Sequence, residues 1–208
     1  MPRKYSMVKR VVAIEATRGR IEMALIRLLR DKPYGAITML DISTEADVAA
    51  RTIHRHYRSK DDVLAACAAA LVRTVLKELS ERPPPQSSED TIQDLVGTVC
   101  SVMERAGATV WAIYCRAPEV PKVAEAMHRE MEARMSLAEA LMAQWPDVWA
   151  VDRQLAKRML VAMTGYPCWR TFTDFDLFST PEAAKLITEL LCRSLLRRRG
   201  KSGAGESH

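Results

Sequence analysis

Between residues 17 and 80 apolar positions recur at helical spacing, broken by short polar interruptions. Ile21, Ala24, Leu25, Leu28 and Leu29 fall at i, i+3, i+4, i+7 and i+8, the single stripe of an amphipathic helix. That helix is expected to be capped by Thr17 and to run to about Asp31, where Lys32-Pro33-Tyr34-Gly35 stops it. Thr38 followed by Asp41 has the spacing of a capping box, with Asp in place of the usual Glu, and predicts a short helix to about Ala46. Asp47-Val48 makes a tight break, and a second short helix follows from Ala49 to about Tyr57. Ser59 or Lys60 then opens a long helix with Asp61 and Asp62 in its first turn, where acids complement the helix dipole.

Arg82-Pro83-Pro84-Pro85-Gln86-Ser87-Ser88 is the clearest boundary, because three prolines cannot continue a helix and the serines invite a new cap. The expected division is a basic, flexible leader over 1–16, a helical domain over 17–82, a larger helical domain over 86–199 and a flexible tail over 200–208. Beyond the prolines Ile92, Leu95, Val96, Val99 and Met103 form one stripe. Met127, Met131 and Met135 lie on a helix starting near Pro121 and ending before Pro146. Leu155, Met159, Ala162, Met163 and Tyr166 mark a helix expected over Asp152 to Thr173. Pro181 suits the first turn of a last helix reaching about Arg199, with Ile187, Leu190, Leu191 and Leu195 on one face. Phe172 to Phe178 alternates weakly but is short and punctuated by Asp, so an all-α fold is expected.

Composition agrees with this and narrows the class. The 208 residues are 48% hydrophobic and 27% charged, ordinary for a globular chain. The net charge of +5 is unevenly placed: residues 1–80 hold 15 Lys and Arg against 9 Asp and Glu, residues 81–208 hold 16 against 17. A confined basic region attracts a polyanion, because phosphate neutralisation releases counterions, although a solvated basic face gives the same count. No apolar run approaches the ~20 residues that span a bilayer, and the basic start is not followed by a signal-peptide core, so a cytoplasmic protein without a membrane partner is expected. Cys67, Cys100, Cys115, Cys168 and Cys192 are odd in number and never spaced Cys-x-x-Cys, which argues against a zinc site or a disulfide framework. Buried thiols on apolar faces are expected; a redox sensor would require an exposed thiol of low pKa.

The stretch Ile37 to Lys60, ITMLDISTEADVAARTIHRHYRSK, carries the functional signal. Two helices this short cannot stand alone and must pack on longer neighbours, crossing steeply at Asp47-Val48 as in a helix-turn-helix. Ile42, Ala46, Val48 and Ile53 are expected to point inward, with the small Ser43 where the helices approach. The rest of the second helix, Ala50, Arg51, Thr52, His54, Arg55 and His56, is polar and basic, a face that a DNA major groove admits. Arg51, near its start, is the candidate for base readout. Arg55 and Arg58 suit a solvated basic face. Lys4, Lys9, Arg10 and Arg18 suit either an arm reaching the minor groove or an ordinary leader.

Thr52-Ile53-His54-Arg55-His56-Tyr57-Arg58-Ser59-Lys60, preceded by Ala36-Ile37-Thr38-Met39-Leu40-Asp41-Ile42, resembles the DNA-binding domain of the TetR family of repressors over Thr17 to Leu64. The resemblance implies that Thr38 caps the second helix beside a phosphate and that Thr52 contacts backbone or base edge. It further implies that His56 lies near phosphate and that Lys60 anchors another. Three positions depart from the family pattern: Asp47 stands for a turn glycine, Ala49 for a capping serine, His54 for a tyrosine.

The same resemblance implies that residues from about 86 form a helical ligand-binding and dimerisation domain. Met103, Trp111, Tyr114, Met127, Met131, Met163, Tyr166 and Trp169 are the candidates for an effector pocket, or are simply core. The last two helices would build a dimer interface. The expected function is a ligand-responsive regulator, a repressor, that binds a palindromic operator in double-stranded DNA as a homodimer. It would answer to a small-molecule effector and need no cofactor, metal or catalytic residue. Two other classes compete. A cytosolic helical enzyme using His54 or His56 lacks a nucleophile, metal cluster or phosphate loop. A helical protein-interaction module would present its apolar C-terminal face to a partner.

Overall fold

A computed structural model describes residues 3–174 and 177–197. They form nine helices: α1 (Arg3–Asp31), α2 (Met39–Ala46), α3 (Ala50–His56), α4 (Lys60–Ser80), α5 (Ser88–Arg116), α6 (Pro121–Ala143), α7 (Arg153–Met163), α8 (Tyr166–Thr173) and α9 (Thr180–Leu195). No strand occurs among the described residues; a single antiparallel bridge joins Trp149 to Leu196.

The chain divides into two compact units. The first holds residues 1–78 together with 102–133, so the second half of α5 and the start of α6 share a core with α1 to α4. Ile21, Ala24, Leu25 and Leu29 of α1 meet Ile42 of α2, Ile53 of α3, Leu64 and Cys67 of α4, and Ile113 and Val123 from α5 and α6. The two short helices depend on this burial: Ile42 and Ile53 are fully enclosed, each contributing roughly 1.5–3 kcal/mol. A 3-10 turn over Tyr34–Ala36 follows α1, after Lys32-Pro33 as the sequence suggests.

The expected start of the first helix is corrected. Thr17 does not cap it; the helix begins at Arg3, and the Thr17 hydroxyl donates back to the Ala13 carbonyl at 2.8 Å in mid-helix. Gly19 is the first Gly or Pro after Pro2, so nothing interrupts helical propagation from Arg3 onward.

The second unit holds residues 79–101 and 134–208. Ser87 caps α5 by accepting from the Asp90 amide at 3.1 Å, the role its place after the prolines suggests. Here Ile92, Val96, Met142, Leu160, Ile187, Leu191 and Leu195 are buried, and the Trp145 indole donates to Thr91 Oγ1 at 2.8 Å. One long helix over Asp152 to Thr173 was expected, but the structure has two. Asp152 caps α7 through the Gln154 and Leu155 amides, and the chain breaks at Thr164-Gly165. Pro167, in the first turn of α8, has no N–H to continue α7 and instead suits a helix start. The last helix ends at Leu195 rather than near Arg199, and residues 198–208, with the expected tail, lie outside the described residues.

The expectation of buried thiols holds for Cys67 and Cys100 and fails for Cys115, which is exposed on α5; Cys168 and Cys192 are half-buried. Burial pushes the Cys100 thiol up to about 12, and those of Cys67, Cys168 and Cys192 upward as well.

Candidate nucleic-acid interface

The site is built from the turn outward. Asp47 adopts the left-handed conformation, φ 50° and ψ 52°, that ends α2 and redirects the chain into α3. Ser43 ties this corner from both sides: its hydroxyl donates to the Val48 carbonyl at 2.7 Å, and its own carbonyl accepts from the Val48 amide at 3.1 Å. At the other end of α2 the capping box is complete. The Asp41 amide donates to Thr38 Oγ1 at 3.1 Å, and the Thr38 amide and hydroxyl donate to Asp41 Oδ2 at 2.8 and 2.6 Å. These bonds hold the Asp41 carboxyl down at about 2.

α3 has no acidic residue, and Ala50, Arg51, His54 and Arg55 are exposed on it. Thr52 and His56 are half-buried, while Ile53 faces the core. Ala49 offers no side-chain cap to this helix, as expected of alanine. His56 Nε2 is screened from solvent and meets no hydrogen-bond partner among the described residues. Burial, then Arg55 and Arg18, push its pKa below the ordinary histidine value.

α3 is fixed at its C-terminal end by a network that the sequence reading missed. The Tyr57 hydroxyl donates to Glu22 Oε1 at 2.7 Å and accepts from Arg18 Nε at 3.3 Å, and Arg73 Nη2 pairs with Glu22 Oε2 at 2.9 Å. Glu22 is only 5% exposed. A signal was present: Glu22 stands three and seven residues before Leu25 and Leu29 on the apolar stripe, where an acid requires a partner.

Lys60 takes a position different from a free phosphate anchor. Its ammonium donates to the carbonyls of Tyr34 and Ile37, each at 2.6 Å, and lies 4.2 Å from the centroid of the Tyr34 ring. Burial lowers its pKa. The neighbouring acids are paired as well: Asp61 Oδ1 accepts from the Tyr34 hydroxyl at 2.6 Å and pairs with Arg116 Nε at 3.5 Å, and Asp62 Oδ1 pairs with Lys122 Nζ at 2.6 Å. The first turn of α4 is thus bonded to the segment entering α2 and to the junction of α5 and α6.

Residues 23–67 match the family model described as bacterial regulatory proteins, tetR family. Residues 23–67, within the first unit, carry a TetR-family domain. No curated protein matches the sequence. Among solved structures, a TetR transcription regulator from Haloarcula marismortui is 19% identical with a TM-score of 0.72, covering 87% of this chain and 99% of its own. A transcriptional regulator from Rhodococcus sp. Rha1 is 14% identical with a TM-score of 0.69, covering 86% and 97%. A TetR family transcription regulator from Marinobacter aquaeolei is 14% identical with a TM-score of 0.61, covering 88% and 97%. At such identities the likeness establishes the fold: an N-terminal helix-turn-helix domain followed by helices, as in TetR-family transcription regulators.

Within this TetR fold the eight candidate pocket residues are divided. Met103, Trp111, Tyr114, Met127 and Met131 belong to the first unit, and Met163, Tyr166 and Trp169 to the second. Met103 and Tyr166 are buried; Trp111 and Met131 are exposed. The Trp169 indole N–H is enclosed without a partner. Among the described residues no cluster of His, Cys, Asp or Glu is arranged to hold a metal ion, and no helix is long and apolar enough to cross a membrane.

Proposed function

We propose that the chain is a ligand-responsive transcriptional repressor that binds a palindromic operator as a homodimer in the cytoplasm. The observation that carries this reading is α3, an acid-free helix with Arg51, His54 and Arg55 exposed, held on a TetR-family domain. In the major groove Arg51 would read a guanine through its O6 and N7 acceptors, with Ala50 allowing close approach. Thr52, His54 and His56 would contact backbone or base edges. The hydroxyl and amide of Thr38 are committed to the capping box, so a phosphate there would meet the amides of the following turn. Lys60, held by Tyr34 and Ile37, would act by fixing the loop into α2.

A homodimer is favoured because one seven-residue helix offers few base contacts and a two-fold repeat doubles them. Leu155 on α7 and Leu190 on α9 are exposed, as a dimer surface in the second unit requires. A bound effector would shift the equilibrium only if it favoured a state that DNA does not. The pairs from Arg116 and Lys122 to Asp61 and Asp62 offer a route from α5 and α6 to the start of α4.

Selection from a random duplex pool tests the reading. A single two-fold symmetric sequence should emerge, bound by two chains in nanomolar range and weakened steeply by salt. Recovery of no sequence would refute it.

A further inference from the structure

α1 extends beyond the domain it supports. It is 29 residues long, yet its buried face begins only near Thr17, and residues 9–16 are all exposed. Residues 3–16 would therefore project on the order of 20 Å. The projecting part carries Arg3, Lys4, Lys9 and Arg10 with no acid before Glu15. Val11 and Val12 are 57% and 62% exposed. An isolated helical overhang of like charge is marginal in water and gains from a polyanion that neutralises it.

The overhang leaves the domain at a specific place. Arg18 donates to the Tyr57 hydroxyl at 3.3 Å and stacks 5.6 Å from its ring, and Tyr57 is the residue that ends α3. Arg18 and Glu15 also act electrostatically on His56. The basic overhang and the basic end of α3 thus share one edge of the unit.

We propose that the N-terminal projection of α1 is a second DNA-binding element, in which Lys9 and Arg10 contact phosphates of duplex flanking the sequence read by α3. This rests on the DNA-binding reading above. Twenty ångströms of helix matches about six base pairs at a rise of about 3.4 Å, so the contact would fall outside a minimal operator. Charge complementarity selects duplex DNA over a second copy of the chain, since two such basic helices repel.

The experiment uses the full chain, wild type and Lys9→Gln/Arg10→Gln, with two duplexes. One is trimmed to the selected operator, and the other carries ten further base pairs (roughly three nanometres) on each side. Wild type should bind the extended duplex about tenfold more tightly, and the double variant should lose that gain while matching wild type on the trimmed duplex. The salt slope on the extended duplex should fall by about two per protomer. An equal loss on both duplexes, or no advantage from the flanks in wild type, overturns the inference while leaving the DNA-binding reading intact. Wild type binding neither duplex overturns both. A Val11→Ser/Val12→Ser variant that becomes monomeric would assign the overhang to self-association and overturn it as well.

Discussion

Lys60 grips Tyr34 twice, donating to its carbonyl at 2.6 Å and lying 4.2 Å from its ring centroid. With the Ile37 carbonyl as a further acceptor at 2.6 Å, one side chain closes the loop between α1 and α2. Lys60→Gln removes the charge and should cost roughly 1–3 kcal/mol of stability, measured by urea unfolding. Operator affinity should fall alike for every sequence, because the loop and not a base is affected. Unchanged stability with weaker DNA binding would return Lys60 to a direct phosphate role.

The capping box of α2 gives a pH signature. With the Asp41 carboxyl held at about 2, below its ordinary value, its contribution is present above about pH 4 and lost as pH falls through about 2. Asp41→Asn should remove that dependence, and Thr38→Ala should cost about 1 kcal/mol at neutral pH. Thermal melts across this acid range check both. A wild-type acid limb identical to that of Asp41→Asn would contradict the assignment.

A DNA contact at His56, as proposed, would make binding proton-linked. Burial, Arg55 and Arg18 lower its pKa in the free protein, so below its ordinary value it opposes folding rather than supporting it. If the ring turns on binding so that Nε2, enclosed in the free protein, meets a phosphate oxygen, that pKa would rise and a proton would be drawn in. Affinity should then increase severalfold, roughly threefold to tenfold, from about pH 8 to about pH 6 at constant salt. His56→Gln should flatten the profile. A profile equally steep in the variant would place the linked proton elsewhere.

The Asp62–Lys122 pair, 2.6 Å apart, can be tested by exchange of partners. Lys122→Asp sets like charges together and should loosen the first turn of α4, seen as faster hydrogen exchange at the amides of residues 60–63. Asp62→Lys combined with Lys122→Asp should recover part of the loss, about 0.5–1 kcal/mol of coupling for a pair exposed on one side. No recovery would mean that Asp62 acts only through the Arg58 and Ser59 amides it accepts from.

What the sequence made legible is local. Thr38 with Asp41, Asp47-Val48 and the buried Ile42 and Ile53 are short-range patterns with a mechanical reading, and the structure contains each of them. The start of α1 was missed because Thr17 can cap a helix or sit within one, and only the lack of a breaker after Pro2 separates the cases. The helix break at Gly165-Tyr166-Pro167 is hidden by an apolar spacing that continues across it. Partners distant in sequence, such as Asp61 with Arg116 or Glu22 with Arg73, leave no local spacing to read.

The proposed function depends on α3 reading bases in the major groove through Arg51. Protection of guanine N7 from methylation on the selected operator tests that contact. It predicts protected guanines in two half-sites about one helical turn apart, with Arg51→Ala losing that protection and roughly 1–3 kcal/mol of discrimination at those positions. Guanines equally protected by wild type and Arg51→Ala, or an operator bound with its major groove open to the reagent, would contradict it.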